Sequence, residues 1–94
     1  MKELEKNILV EKIENLKKQE NQNQALFRQN FAKRLKEIRL KKGLTQKEVA
    51  EQLNLRVSTY ANWEQGTREP SCYYILILSI IFAIDVNELF YNLI

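Results

Sequence analysis

The 94-residue chain has no histidine and a single cysteine, Cys72. One cysteine excludes an internal disulfide. Without histidine, a zinc site or a His-based catalytic site has no ordinary ligand or base to build on. No pair of titratable groups with catalytic spacing takes their place, so no metal, no cofactor and no enzymatic activity is expected. No secretory signal opens the chain, which points to the cytoplasm. No apolar run reaches the ~20 residues that a membrane-spanning helix needs. The longest, CYYILILSIIFAI (Cys72 to Ile84), is thirteen residues long and ends at Asp85. Only two glycines and one proline are present. Gly43 and Gly66 fall where helices should stop, and Pro70 where one should open. No segment reads as a strand, so the fold class expected is all-α.

Positive charge is unevenly spread. Residues 31–70 carry nine Lys/Arg (Lys33, Arg34, Lys36, Arg39, Lys41, Lys42, Lys47, Arg56, Arg68) against five glutamates, whereas residues 71–94 carry none, against Asp85 and Glu88. A basic middle joined to an uncharged, apolar end suggests a polyanionic partner on one side and an apolar partner on the other. A solvated charged face is the plainer reading of the charge alone.

Residues 1–24 form an arm. Leu9, Ile13 and Leu16 recur at 4/3 spacing, with Leu4 and Ile8 alongside, which predicts an amphipathic helix too short to stand without a partner for its stripe. Disorder is the competing reading of this arm. The polar Asn21–Gln24 stretch is either a hinge or an exposed turn of a continuing helix. From Ala25 to Ile94 a helical domain is expected. Phe31, Leu35 and Ile38 line one face of a helix that ends at Gly43. Thr45 and Glu48 form a capping box that starts a second. Val49, Ala50 and Leu53 face inward, and Asn54 tolerates the left-handed turn that follows. A third helix, Val57 to Gln65, buries Tyr60 and Trp63. Phe90 and Tyr91 should close the end of the core.

Two short helices joined by a three-residue turn, with motif bounds of about 45–65, have the dimensions that the major groove of DNA admits. The outward face of the second carries Val57, Ser58, Ala61, Asn62 and Gln65, short side chains that let the backbone approach base edges. Asn can pair with adenine, Ser can donate or accept, and Val can pack on a thymine methyl. Gln46, in the first turn of the helix before it, can offer its amide and free backbone N–H groups to a phosphate.

The stretch from Arg34 to Phe90, above all GLTQKEVAEQL, STYANWEQGTREPS and IDVNELF, resembles the helix-turn-helix domain of the Xre family and of phage repressor and Cro proteins. The resemblance implies a five-helix domain that binds double-stranded DNA. It implies that Gln46 anchors a phosphate or base, that Val57, Ser58 and Asn62 read bases, and that Gln65, Thr67 and Arg68 grip the backbone. It further implies a partly buried ion pair between Arg39 and Glu64. The family commonly places Ser or Thr where Arg56 stands. Arg56 is expected to exchange that helix cap for a phosphate or guanine contact.

In the run after Pro70, Cys72, Ile75, Leu78, Ser79 and Phe82 are expected to face the core. Tyr73, Ile77 and Ile80 fall on the opposite side, where relatives carry charge. A helix apolar all round is buried all round, so Tyr73, Ile77 and Ile80 are expected to meet a second subunit or the arm. These features describe a sequence-specific transcriptional regulator at the nucleoid, a repressor that binds a palindromic operator as a homodimer. With the chain ending at Ile94, no ligand-sensing domain is expected, and regulation would work through the arm, the interface or a partner protein. The alternative is an antitoxin-type interaction module that binds DNA secondarily.

Overall fold

The computed structural model describes residues 3–18 and 20–91, the side chains of Glu3, Leu4 and Asn21 apart. The described residues are helical with no strand: α1 (Glu3–Lys18), α2 (Glu20–Lys41), α3 (Gln46–Leu53), α4 (Val57–Gln65), α5 (Cys72–Ile81) and α6 (Val86–Phe90). α2 starts at Glu20. The Asn21–Gln24 stretch is therefore a turn of a continuing helix, its described side chains at or near the surface.

Every domain helix contributes to one core. Phe31, Leu35 and Ile38 come from α2, and Val49, Ala50 and Leu53 from α3. Tyr60 and Trp63 come from α4, Leu78 and Phe82 from α5 and its end, and Leu89 from α6. Phe90 stacks on Phe27 at a ring distance of 6.3 Å and meets Phe31 at 6.1 Å with the rings tilted by 38°, so it covers the end of the core while staying 39% exposed. Tyr91 does not. It is exposed, with Arg34 above its ring at 5.6 Å and donating to its carbonyl at 3.1 Å.

Among the described residues four helices end at a left-handed residue, and at three of them, Gly66 apart, the residue that follows is apolar. Gly43, Asn54 and Ala83 have φ of 71°, 57° and 52°. At each, the next residue returns its N–H to the carbonyl five positions back: Leu44 to Arg39 (3.2 Å), Leu55 to Ala50 (2.9 Å) and Ile84 to Ser79 (3.0 Å). This left-handed stop turns an apolar residue back toward the helix it follows, and Leu44, Leu55 and Ile84 all pack against the core. Gly43 and Asn54 suit that conformation, whereas Ala83 adopts it against the preference of its Cβ.

α5 corrects the expected division of its faces. Its buried side centres on Leu78, with Tyr74, Ile75 and Ile81 packed around it. At about 100° per residue, Ile77 lies on the flank of that face and Leu76 lies nearly opposite it. Ile77 accordingly packs against the core, while Tyr73 (65% exposed), Leu76 (55%) and Ile80 (64%) form the outer face. Cys72, about 120° from Leu78, is exposed rather than in the core.

The arm does not fold back over this face. Ile8, Leu9, Val10, Ile13 and Leu16 of α1 remain between 44% and 54% exposed. The molecule is drawn out to 51 × 24 × 21 Å. Among the described residues, no helix is long and apolar enough to cross a membrane.

Candidate nucleic-acid interface

The interface is built on α3, the turn at Asn54 and α4. Thr45 Oγ1 accepts the Glu48 N–H at 3.1 Å, and Glu48 Oε1 accepts the Thr45 N–H at 3.0 Å, so the capping box is complete. At the other end the left-handed Asn54 stops α3 and leads straight into α4. Arg56 stands at the N-cap of α4 in an extended conformation, and its side chain makes no capping bond. A guanidinium has only donors and cannot cap N–H groups, and the side chain is exposed.

α4 divides cleanly. Tyr60 and Trp63 point inward, in edge-to-face contact at 5.9 Å. Val57, Ser58 and Gln65 are exposed, and Ala61 and Asn62 are half-buried along the same outward edge. The helix ends at Gly66 (φ 77°), whose missing Cβ would stand 3.4 Å from the Arg28 carbonyl oxygen on α2. Beyond it, the N–H groups of Gly66, Thr67 (3.2 Å) and Arg68 (3.4 Å) converge on the Asn62 carbonyl, which also accepts from Thr67 Oγ1 at 3.2 Å. The backbone of Asn62 thus fixes the following loop while its side chain stays on the outward edge. Thr67 and Arg68 are exposed on that loop.

Behind this face, Arg39 of α2 grips Glu64 of α4 with two bonds, Nε to Oε2 at 2.6 Å and Nη2 to Oε1 at 2.9 Å. Its Nη1 donates to the Leu44 carbonyl at 2.9 Å. The side chains are 9% and 2% exposed, so the expected ion pair is present and buried. Gln46 Nε2 donates to Glu64 Oε1 at 3.1 Å, tying α3 to the same carboxylate. Burial works to raise the Glu64 pKa. Its hydrogen bonds, led by Arg39, outweigh that and hold the carboxyl below the ordinary glutamate range. The Glu64 hydrogen bond in turn raises Arg39. The Tyr60 hydroxyl is close enough to feel both charges but completes no hydrogen bond. Burial first, and then the carboxylate, push it well above the usual phenol range.

Sequence reasoning placed Gln46 on a phosphate. In the protein alone, one of its amide hydrogens is held by Glu64, which fixes the rotamer from the inside. Gln46 and Glu64 are eighteen residues apart, and no local pattern could have joined them. Arg56, Val57, Ser58, Asn62, Gln65, Thr67 and Arg68 all lie on α4 or just beyond its two ends.

A helix-turn-helix family profile matches residues 35–89, more than half of the chain. The chain belongs to the helix-turn-helix family. Among its relatives is ImmR of Bacillus subtilis (strain 168), named an HTH-type transcriptional regulator. It is 40% identical over 60 residues, which are 64% of this chain and 47% of ImmR. BcrR of Enterococcus faecalis, named an HTH-type transcriptional activator, is 32% identical over 59 residues, 63% of this chain and 29% of BcrR. The match therefore spans about half, or less, of these curated relatives. This helix-turn-helix chain carries the Xre and phage-repressor pattern through α3, α4 and the loop to α5.

Proposed function

We propose that this protein is a sequence-specific DNA-binding regulator of transcription, acting as a homodimer on a palindromic operator and repressing by occlusion. One observation carries the reading. The outward edge of α4 is short and uncharged, and it is flanked by exposed arginines, Arg56 at its start and Arg68 just beyond its end. Short polar side chains can reach base edges, and cations at both ends can meet phosphates. Val57, Ser58 and Asn62 read bases in the major groove. Gln65, Thr67 and the first turn of α3 at Gln46 hold the backbone. Occlusion is chosen because it requires nothing beyond binding.

A single domain of this size makes few contacts. A two-fold dimer doubles them over half-sites about 34 Å apart. The outer face of α5, with Tyr73, Leu76 and Ile80 in the open and Ile77 at its edge, is the surface assigned to that dimer.

Selection of bound sequences from a random duplex pool, followed by titration of the winner across a salt series, tests the reading. A palindrome bound at least a thousandfold more tightly than random DNA, roughly the lower end of specific recognition, with a steep salt slope, is the expected outcome. Asn62→Ala should cost about 1–3 kcal/mol on that palindrome and little on random DNA. Weak binding with no preferred sequence would instead favour the protein-interaction module.

A further inference from the structure

The molecule carries two apolar surfaces that it does not cover itself. One is the outer face of α5: Tyr73, Leu76 and Ile80. The other is the stripe of α1, centred on Leu9, Ile13 and Leu16 and flanked by Ile8 and Val10. Both remain open in the same molecule, and a small soluble domain seldom leaves two such patches unpartnered.

Size decides what covers them. With roughly 100 Å² of apolar side-chain area still open on each such residue, the α5 face and the Leu9, Ile13 and Leu16 stripe each offer about 300 Å². Ile8 and Val10, about 100° to either side of Leu9, cannot both join one contact. Two α5 faces packed on each other would bury about 600 Å² in total, within the range of adventitious contacts. The arm cannot pair with a second arm by itself, because its stripe lasts only from Leu9 to Leu16. A coiled coil needs at least three to four heptads, and the next positions of the repeat are Lys6 and Glu20.

We propose that the homodimer is made by arm exchange, with α1 of each copy lying across the outer face of α5 in the other. This rests on the homodimeric reading given above. Two such contacts bury about 1,200 Å², twice the face-to-face figure and the lower bound of a stable specific interface. α1 is about 24 Å long, enough to run the length of ten-residue α5. The arm is also rooted in the right place. Leu16, at the base of α1, lines one cleft together with Glu69 of the loop leading into α5, so a copy seated on α5 lies within its reach.

The test is sedimentation equilibrium of the full chain at micromolar concentration, with circular dichroism to confirm that each variant is folded. The wild type should be a dimer, and a monomer overturns both the homodimeric reading and the exchange. The arm variant Leu9→Lys/Ile13→Lys and the face variant Leu76→Lys/Ile80→Lys should each be monomeric. All four positions are exposed, and the milder serine pairs at the same sites serve if a lysine pair unfolds. An arm variant that dimerises like the wild type overturns the exchange and leaves the homodimeric reading standing. The two monomeric variants should then associate when mixed, because the intact arm of one meets the intact face of the other. That heterodimer should be weaker than the wild type but at least about tenfold tighter than either variant alone. No association on mixing overturns the exchange in favour of like-with-like pairing.

Discussion

Because the Glu64 side chain is only 2% exposed and accepts from both Arg39 and Gln46, removing its charge leaves a guanidinium buried without its counterion. Breaking a buried pair from one side costs more than the pair contributes. Glu64→Gln should therefore lower the unfolding free energy by about 3 kcal/mol in urea titrations. The acid limb follows from the same group. Its carboxyl is held below the ordinary glutamate value of 4.5, so the unfolded chain binds the proton more readily. The stability it contributes is fully present above that value and is lost as pH falls through the lower folded one. Glu64→Gln should flatten this part of the stability–pH curve. Ala83 makes the opposite prediction. It holds φ at 52°, a conformation that disfavours any Cβ, so Ala83→Gly should raise stability by about 1 kcal/mol. The Arg39–Glu64 pair was available from family resemblance. The strain at Ala83 was not, because nothing in an alanine announces a left-handed backbone.

Helices α3 and α4 illustrate how end signals shape an element. The Thr45–Glu48 box, the left-handed Asn54 and the stop at Gly66 were each legible, because the residue type and the conformation it permits coincide. α5 was not divisible by type, since twelve of the thirteen residues of the run are hydrophobic by composition. Only the packing around Leu78 shows that Leu76 rather than Ile77 lies outermost. The Asn21–Gln24 stretch stayed open between a hinge and a helical turn because asparagine weakens a helix while glutamine supports one, and the helix that contains them decides for the turn. At the start of α4 the uncapped Arg56 sets stability against binding. Arg56→Ser should supply the missing side-chain cap and stabilise the domain by about 1 kcal/mol. The same change should weaken operator binding and reduce the salt slope by about one. Unchanged affinity and slope would show that Arg56 is merely solvated.

At the scale of the whole molecule, no described side chain of α1 belongs to the core. Deleting residues 1–19 should leave the thermal transition of a dilute sample within a few degrees of that of the full chain. It should also abolish any rise of the midpoint with protein concentration, which reports assembly. The uneven charge and the doubly apolar α5 were visible in the sequence as two partners for one small domain. Which apolar surface meets which could only be posed once both were seen to be open. The division of α4 has a consequence of another kind. Tyr60, Trp63 and Glu64 hold the scaffold, whereas Val57, Ser58, Asn62 and Gln65 are not members of the core. Because the two sets interleave without sharing a position, the outward four can be exchanged as a cassette. On the base-reading role proposed above, such a chain would acquire a new operator by substitution alone, with its folding left as it was.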